Sequence, residues 1–244
     1  MYCYLYDDFI QGNKRFEKEL ALIENRLTDL GINGKISRLA LFRNAEEMIR
    51  DEIDKGVTTV VVLGNDDTVR KVLNVVVESQ VVFGMIPLGP KNQLAELLGI
   101  PEGVAACDIL SARRLETIVI GTVNGRKFIT GINVPQFRAE ITFEEKFRVF
   151  PTSTAELEIR NLVGASNPSE GMLQAVIRAD VKRGIFQRST KEESILPLQS
   201  MTIRSEKPIQ VFADGEQMEG TRFDISIEPL KMRVITGKNR QFDT

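Results

Sequence analysis

The chain has 244 residues, 42% of them apolar and 27% charged, with a net charge of -2. That is the composition of an ordinary globular protein, long enough for one large core or two modest ones, with no charge bias toward nucleic acid or an anionic membrane. It contains no histidine, which excludes the usual catalytic triads, histidine zinc sites and any imidazole base, and leaves proton transfer to carboxylate, lysine, tyrosine or cysteine.

The N-terminal residues lack the pattern of a signal peptide, and the longest apolar runs, such as Val57 to Leu63, are too short to span a bilayer. Two cysteines, Cys3 and Cys107, do not make a disulfide framework. A cytoplasmic protein with free, structural thiols is expected.

In chain order, Phe16, Leu20, Ile23, Leu27 and Leu30 recur at helical spacing from Asn13 onward, and Gly31 ends that helix. Asn44 with Glu47 reads as a capping box that opens a second helix, closed by Gly56. The β-branched run Val57 to Leu63 suits a strand buried on both faces. Gly64-Asn65-Asp66-Asp67-Thr68 is a polar turn, followed by Val69, Val72, Leu73 and Val76 at helical spacing. A second buried strand, Val81 to Ile86, leads through Pro87-Leu88-Gly89-Pro90-Lys91-Asn92 to a helix bearing Leu94, Leu97 and Leu98. This alternation predicts a parallel sheet with crossover helices.

Near Leu115 the rhythm becomes strand after strand. Leu115 to Val123 and Arg126 to Val134 flank Asn124-Gly125, a type I′ hairpin signal. Further strand patterns follow at Ala155 to Arg160, Met172 to Ala179, Met201 to Ser205, Ile209 to Ala213, Phe223 to Ile227 and Met232 to Ile235. The expected division is an α/β domain over residues 1–111 and a mostly antiparallel β-domain over 112–244, with crossing back of a terminal segment left open.

A strand feeding a tight polar turn and a helix N-terminus offers backbone N–H groups to a phosphate. Asp66 could there orient a magnesium ion or a hydroxyl, and Thr68 could cap the helix. The plain alternative is that the turn residues only reverse the chain and cap the helix. The turn at Gly89 to Asn92 has the same placement, and Lys91 would bring a positive charge to the same crevice or remain a solvated loop lysine.

The stretch Gly64-Asn65-Asp66-Asp67-Thr68 resembles the Gly-Gly-Asp-Gly-Thr signature of the diacylglycerol and sphingosine kinase family. Pro87 to Gln93, with Ala95 to Pro101 after it, is similar to that family's Pro-Leu-Gly-Thr-Gly-Asn-Asp segment and its Ala-x-x-Leu-Gly-Ile-Pro sequel. Val123 to Phe128 resembles the hairpin opening the family's second domain, and Asp214-Gly215-Glu216 its late Asp-Gly-Glu motif. The four motifs keep their order over most of the chain.

The resemblance implies an NAD kinase/diacylglycerol kinase-like fold, an α/β domain joined to a β-sandwich, with ATP and magnesium bound in the cleft between them. It implies a lipid hydroxyl of the diacylglycerol type, at a membrane surface, as phosphoryl acceptor. Gly64, Asp66, Thr68, Gly89 and Asn92 would line the nucleotide, Glu216 would help place it, and Asp214 would be the general base. Two signature glycines are replaced by Asn65 and Asp67, the Thr-Gly-Asn-Asp core reads Pro90-Lys91-Asn92-Gln93, and Asp7 to Gly12 stands where the family has a phosphate loop. The stretch from Val134 to Ser205 is short for the family's acyl-chain insert. Activity is therefore expected to be weak or lost, as in a pseudokinase. The alternative is a non-catalytic member that keeps the cleft for a regulatory nucleotide, another ligand or a protein. An NAD kinase shares the glycine-aspartate signature, but its second motif and adenosine contacts are not found.

Overall fold

Residues 1–40, 44–151, 153–162, 172–181 and 190–242 are described by the structure, a computed structural model. Two units emerge, one formed by Met1–Ile118 with Leu230–Thr244 and the other by Val119–Pro229.

The first unit alternates strands and helices as the apolar periodicity predicts. Strand β1 (Tyr2–Tyr6) leads to helix α1 (Lys14–Asp29), strand β2 (Lys35–Arg38), helix α2 (Ala45–Asp54) and strand β3 (Thr59–Gly64). Helices α3 (Asp66–Arg70) and α4 (Leu73–Ser79) follow, then β4 (Val82–Pro87), α5 (Gln93–Leu98), α6 (Ala106–Ala112) and β5 (Leu115–Ile118). Asn13 caps α1 through the Arg15 amide, and Phe16, Ile23 and Leu27 are its buried stripe. Asn44 caps α2 through the Glu46 amide. Every residue of β3 and β4 is buried, as unbroken β-branched and apolar runs require of central strands.

The second unit begins with β6 (Gly121–Val123) and β7 (Arg126–Phe128), joined by Asn124 and Gly125 at φ 49° and 81°. Positive φ at both positions is the type I′ turn that Asn-Gly favours. Strands β8 (Gly131–Phe137), β9 (Glu140–Phe143), β10 (Phe147–Val149), β11 (Ala155–Arg160), β12 (Leu173–Val181) and β13 (Thr190–Leu198) follow. The long hairpin β14 (Ser200–Ala213) and β15 (Glu216–Ile227) completes the unit. Its pairing register shifts between Arg204 and Ile209, so that the first half of β14 pairs with β9 and its end with β8. Alternate residues of these strands, among them Phe128, Phe143, Leu157, Ile203 and Phe223, form the unit's own core. Of the expected acyl-chain region, residues 163–171 and 182–189 lie outside the described residues.

The last strand, β16 (Met232–Ile235), runs parallel to β4 and antiparallel to β5. The first sheet is therefore ordered β2-β1-β3-β4-β16-β5, and the second β13-β12-β11-β8-β14-β15-β6-β7. Met232 to Ile235, read from sequence with the β-rich half, belongs to the α/β sheet. Met232, Val234 and Ile235 are buried there. A four-residue apolar strand carries no mark of which sheet receives it.

Candidate functional site

Strand β1 lies between β2 and β3, so successive crossovers leave it on opposite sides. The carboxyl ends of β1 and β3 thus border the topological switch point, where open α/β sheets receive ligands. Gly64, Asp66, Thr68, Gly89 and Asn92 all lie at the carboxyl edge of this sheet.

The turn after β3 is tighter than the sequence pattern implies. Helix α3 starts at Asp66, and its cap is Asn65, whose side chain accepts from the amides of Asp67 and Thr68 at 3.0 and 3.3 Å. Thr68, expected as the cap, instead receives the Asn65 amide on its hydroxyl at 3.1 Å and completes a capping box. A Cβ on Gly64 would collide with that hydroxyl, so glycine is required there.

The second turn is stitched to the first. The Asn65 amide group donates to the Pro90 carbonyl at 3.0 Å, and the Asp66 amide donates to the Lys91 carbonyl at 3.0 Å. The Asp66 carboxylate accepts from the amides of Gln93 and Leu94, at 2.8 and 3.2 Å, and so caps α5. Asn92 is buried and donates to the Gly89 carbonyl and to Glu102 at 2.7 and 3.1 Å. Gly89 has φ 79°, and the Phe9 ring packs where its Cβ would be. Lys91 has φ 67°, a conformation natural to the glycine of the family pattern and uncommon for lysine. Its ammonium lies 3.6 Å from Asp67, which also pairs with Arg70.

Sequence reasoning missed the group that fills the switch point. Asp7, directly after β1, is 1% exposed and accepts from the Phe9 amide at 3.3 Å and from Lys71 Nζ at 2.9 Å. Lys71 also approaches Asp8 at 3.5 Å. Burial opposes ionisation of Asp7, but the Lys71 ammonium at hydrogen-bond distance outweighs it and helps hold the carboxyl below its ordinary value. Burial likewise opposes the charge on Lys71, and Asp7 and Asp8 overcome it, raising the ammonium's pKa. The only sequence signal was the replacement of the family's phosphate loop by Asp7 and Asp8. Beside this pair lies a cavity of about 520 Å³ lined by Asp8, Leu39, Ala40, Asn44, Arg70 and Lys71, among others.

Asp214 and Glu216 lie in the second unit, at the β14–β15 turn. Asp214 and Gly215 have φ 46° and 79°, again a two-residue type I′ turn. The Asp214 carboxylate accepts the amides of Ile129, Thr130 and Gly131 at 2.7, 2.8 and 3.1 Å, and the Thr130 hydroxyl at 2.6 Å. It thereby ties the hairpin to the segment entering β8. Glu216 pairs with Arg126.

Asp66 and Asp67 have protein partners in α5, Arg70 and Lys91. Both carboxylates are thus already engaged by the protein itself. Cys3 and Cys107 are free and buried. Burial pushes the Cys107 thiol up to about 11, which leaves it a poor nucleophile.

A parallel α/β sheet with two strand-to-helix turns at its carboxyl edge, together with an antiparallel β-unit, is the fold of solved diacylglycerol kinases. Residues 10–123 match the family model of the diacylglycerol kinase catalytic domain. Over that stretch the chain resembles the diacylglycerol kinase-like family. It is 29% identical over 138 residues to the "Probable lipid kinase YegS-like" of Klebsiella pneumoniae (strain 342), covering 55% of this chain and 46% of that protein. It is 26% identical over 122 residues to the "Diacylglycerol kinase" of Bacillus subtilis (strain 168), covering 48% and 40%. These alignments span less than half the length of the curated relatives. A solved diacylglycerol kinase structure from Bacillus anthracis str. Sterne superposes with a TM-score of 0.77 at 15% identity, covering 98% of this chain and 97% of that one. At that identity the likeness is one of fold. Among the described residues, no helix is long and apolar enough to cross a membrane.

Proposed function

We propose that the chain is an ATP-dependent lipid kinase-type protein that transfers a phosphoryl group to a lipid hydroxyl of the diacylglycerol class, with turnover that is weak or lost. The observation that carries this reading is the pair of strand-to-helix turns, β3 to α3 and β4 to α5, set side by side at the carboxyl edge of the parallel sheet. On this reading the α/β unit, Met1–Ile118 with Leu230–Thr244 where 1–111 was expected, binds ATP with magnesium through Gly64, Asp66, Thr68, Gly89 and Asn92, and the β-rich unit, Val119–Pro229 where 112–244 was expected, supplies Asp214 and Glu216. The protein is cytoplasmic and meets its lipid at a membrane surface. The four donors on Asp214 favour a positioning duty over that of a freely available base.

A second reading is supported by a specific observation: the turn amides that would greet a phosphate are already capped by Asn65 and Asp66. It is a non-catalytic member that holds a nucleotide or another ligand for regulation, or docks a protein. The test is transfer of labelled phosphate from magnesium-ATP to diacylglycerol in mixed micelles by the purified chain. Slow, lipid-dependent labelling is expected. Nucleotide binding without labelling selects the second reading, and absence of both removes the nucleotide from the account.

A further inference from the structure

At the switch point between β1 and β3 the protein places its own anion. Asp7 follows β1, and its backbone amide donates to the Leu63 carbonyl at 3.1 Å, so it is fixed to the end of β3 as well. Its carboxylate is desolvated, accepts a backbone amide from the 3-10 turn Asp8–Ile10, and takes the Lys71 ammonium at 2.9 Å. A backbone amide and a lysine converging on oxygen at a strand end are the donors with which α/β proteins hold phosphate. Here they hold a side chain. Gln11 fastens the same loop, donating to the carbonyls of Tyr6, Asp7 and Leu39 at 3.2, 3.1 and 2.8 Å. Phe9 anchors it against Phe16 and Gly89. The carboxylate is thus built in, with its neighbours locked around it.

We propose that Asp7 is the resident anion of this crevice, occupying the place of a phosphate group and withholding Lys71 from any phosphate-bearing ligand. The inference rests on the nucleotide reading for its biological meaning, but its chemistry concerns phosphate alone. A phosphate entering beside Asp7 meets a like charge in a poorly solvated place, while the cation that would greet it is already paired. Lys71 also borders the cavity lined by Asp8, Leu39 and Asn44. Neutralising Asp7 therefore turns the lysine toward an anion reachable from that cavity. Asp7 decides what the crevice accepts.

The test is thermal unfolding of the full chain and its Asp7→Asn variant in rising inorganic phosphate, at ionic strength held constant with sodium chloride. Comparison of variant with native chain removes the general salting effect of phosphate. The variant is expected to be stabilised at phosphate concentrations at least about tenfold lower than the native chain needs. Asp7→Asn combined with Lys71→Gln is expected to lose that gain. Should Asp7→Asn alone fail to fold, phosphate is expected to restore its cooperative transition. A folded variant that answers phosphate as the native chain does, an unfolded variant that phosphate does not rescue, or a gain that survives loss of Lys71 overturns the proposal. Magnesium-ATP titrated into the native chain reports separately on the nucleotide reading. Phosphate gain without nucleotide binding keeps the role of Asp7 and removes that reading; nucleotide binding without phosphate gain does the reverse.

Discussion

Asp66 Oδ2 accepts the backbone amide of Gln93 at 2.8 Å, across 27 residues of sequence. With the Leu94 amide at 3.2 Å on its other oxygen, Asp66 works as the N-cap that Asn92 does not provide to α5. Replacing it by alanine removes both acceptors and leaves the N-terminal amides of α5 to solvent. Asp66→Ala is expected to destabilise the protein by about 1–2 kcal/mol, and Asp66→Asn by about half as much, in urea denaturation. An alanine variant of native stability means that the cap carries no weight.

Lys91 makes a prediction opposite to the usual rule for glycine. At φ 67° a side chain with a Cβ is strained by about 1 kcal/mol, while the ion pair with Asp67 is exposed and long at 3.6 Å. Lys91→Gly should therefore be more stable than Lys91→Ala by about 1 kcal/mol, measured as a midpoint difference in the same denaturant series. Alanine equal to or better than glycine contradicts the left-handed backbone.

Asp214 separates a structural role from a catalytic one. Asparagine at this position turns one acceptor oxygen into a donor facing amides that are donors themselves. Asp214→Asn is expected to destabilise the second unit by about 2–3 kcal/mol, seen in its unfolding transition without any ligand. A variant of unchanged stability that nonetheless loses all phosphoryl transfer points to a base and nothing more.

Opposite pKa shifts at Asp7 and Lys71 set limits on stability at both ends of the pH range. Asp7 binds its proton more weakly folded than unfolded, so its contribution is complete above the ordinary value of 3.8 and is lost as pH falls through the lower folded value. Lys71 binds its proton more tightly folded, so its contribution is complete below 10.5 and is lost as pH rises through the higher folded value. Stability owed to the pair should be flat between these limits. Unfolding of the native chain minus that of Asp7→Asn, followed against pH, isolates it; a difference that grows steadily across neutral pH contradicts the assignment.

The sequence was most legible where local chemistry decides structure. The stripe of Phe16, Ile23 and Leu27, the buried run of β3 and the Asn124-Gly125 turn all follow from periodicity or from a residue that tolerates positive φ. The framework of the two turns was also legible through glycines that the backbone requires, Gly64 and Gly89. What stayed hidden depends on partners distant in sequence. Lys71 meets Asp7 across 64 residues, Asp214 meets Thr130 across 84, and β16 joins a sheet whose other strands end more than a hundred residues earlier. Asn65 rather than Thr68 is the N-cap because either side chain can serve at a helix start, and only backbone geometry selects between them. Lysine at position 91 gives no sign by itself of a left-handed backbone.

On the proposed reading, the turn after β3 keeps the framework of a nucleotide site but fills it with the protein's own groups. A carboxylate about 4 Å from a phosphate charge opposes it by about 4 kcal/mol at an effective dielectric near 20. Arg70 and Lys91 beside Asp67 offset part of this, which leaves roughly a tenfold penalty or more. The decisive measurement is calorimetric titration of magnesium-ATP into the native chain and into the double variant Asn65→Gly with Asp67→Gly. Weak binding by the native chain and binding at least about tenfold tighter by the double variant are expected. Tight binding by the native chain that the double variant loses would make Asp67 a ligand of the magnesium-nucleotide complex and contradict the claim.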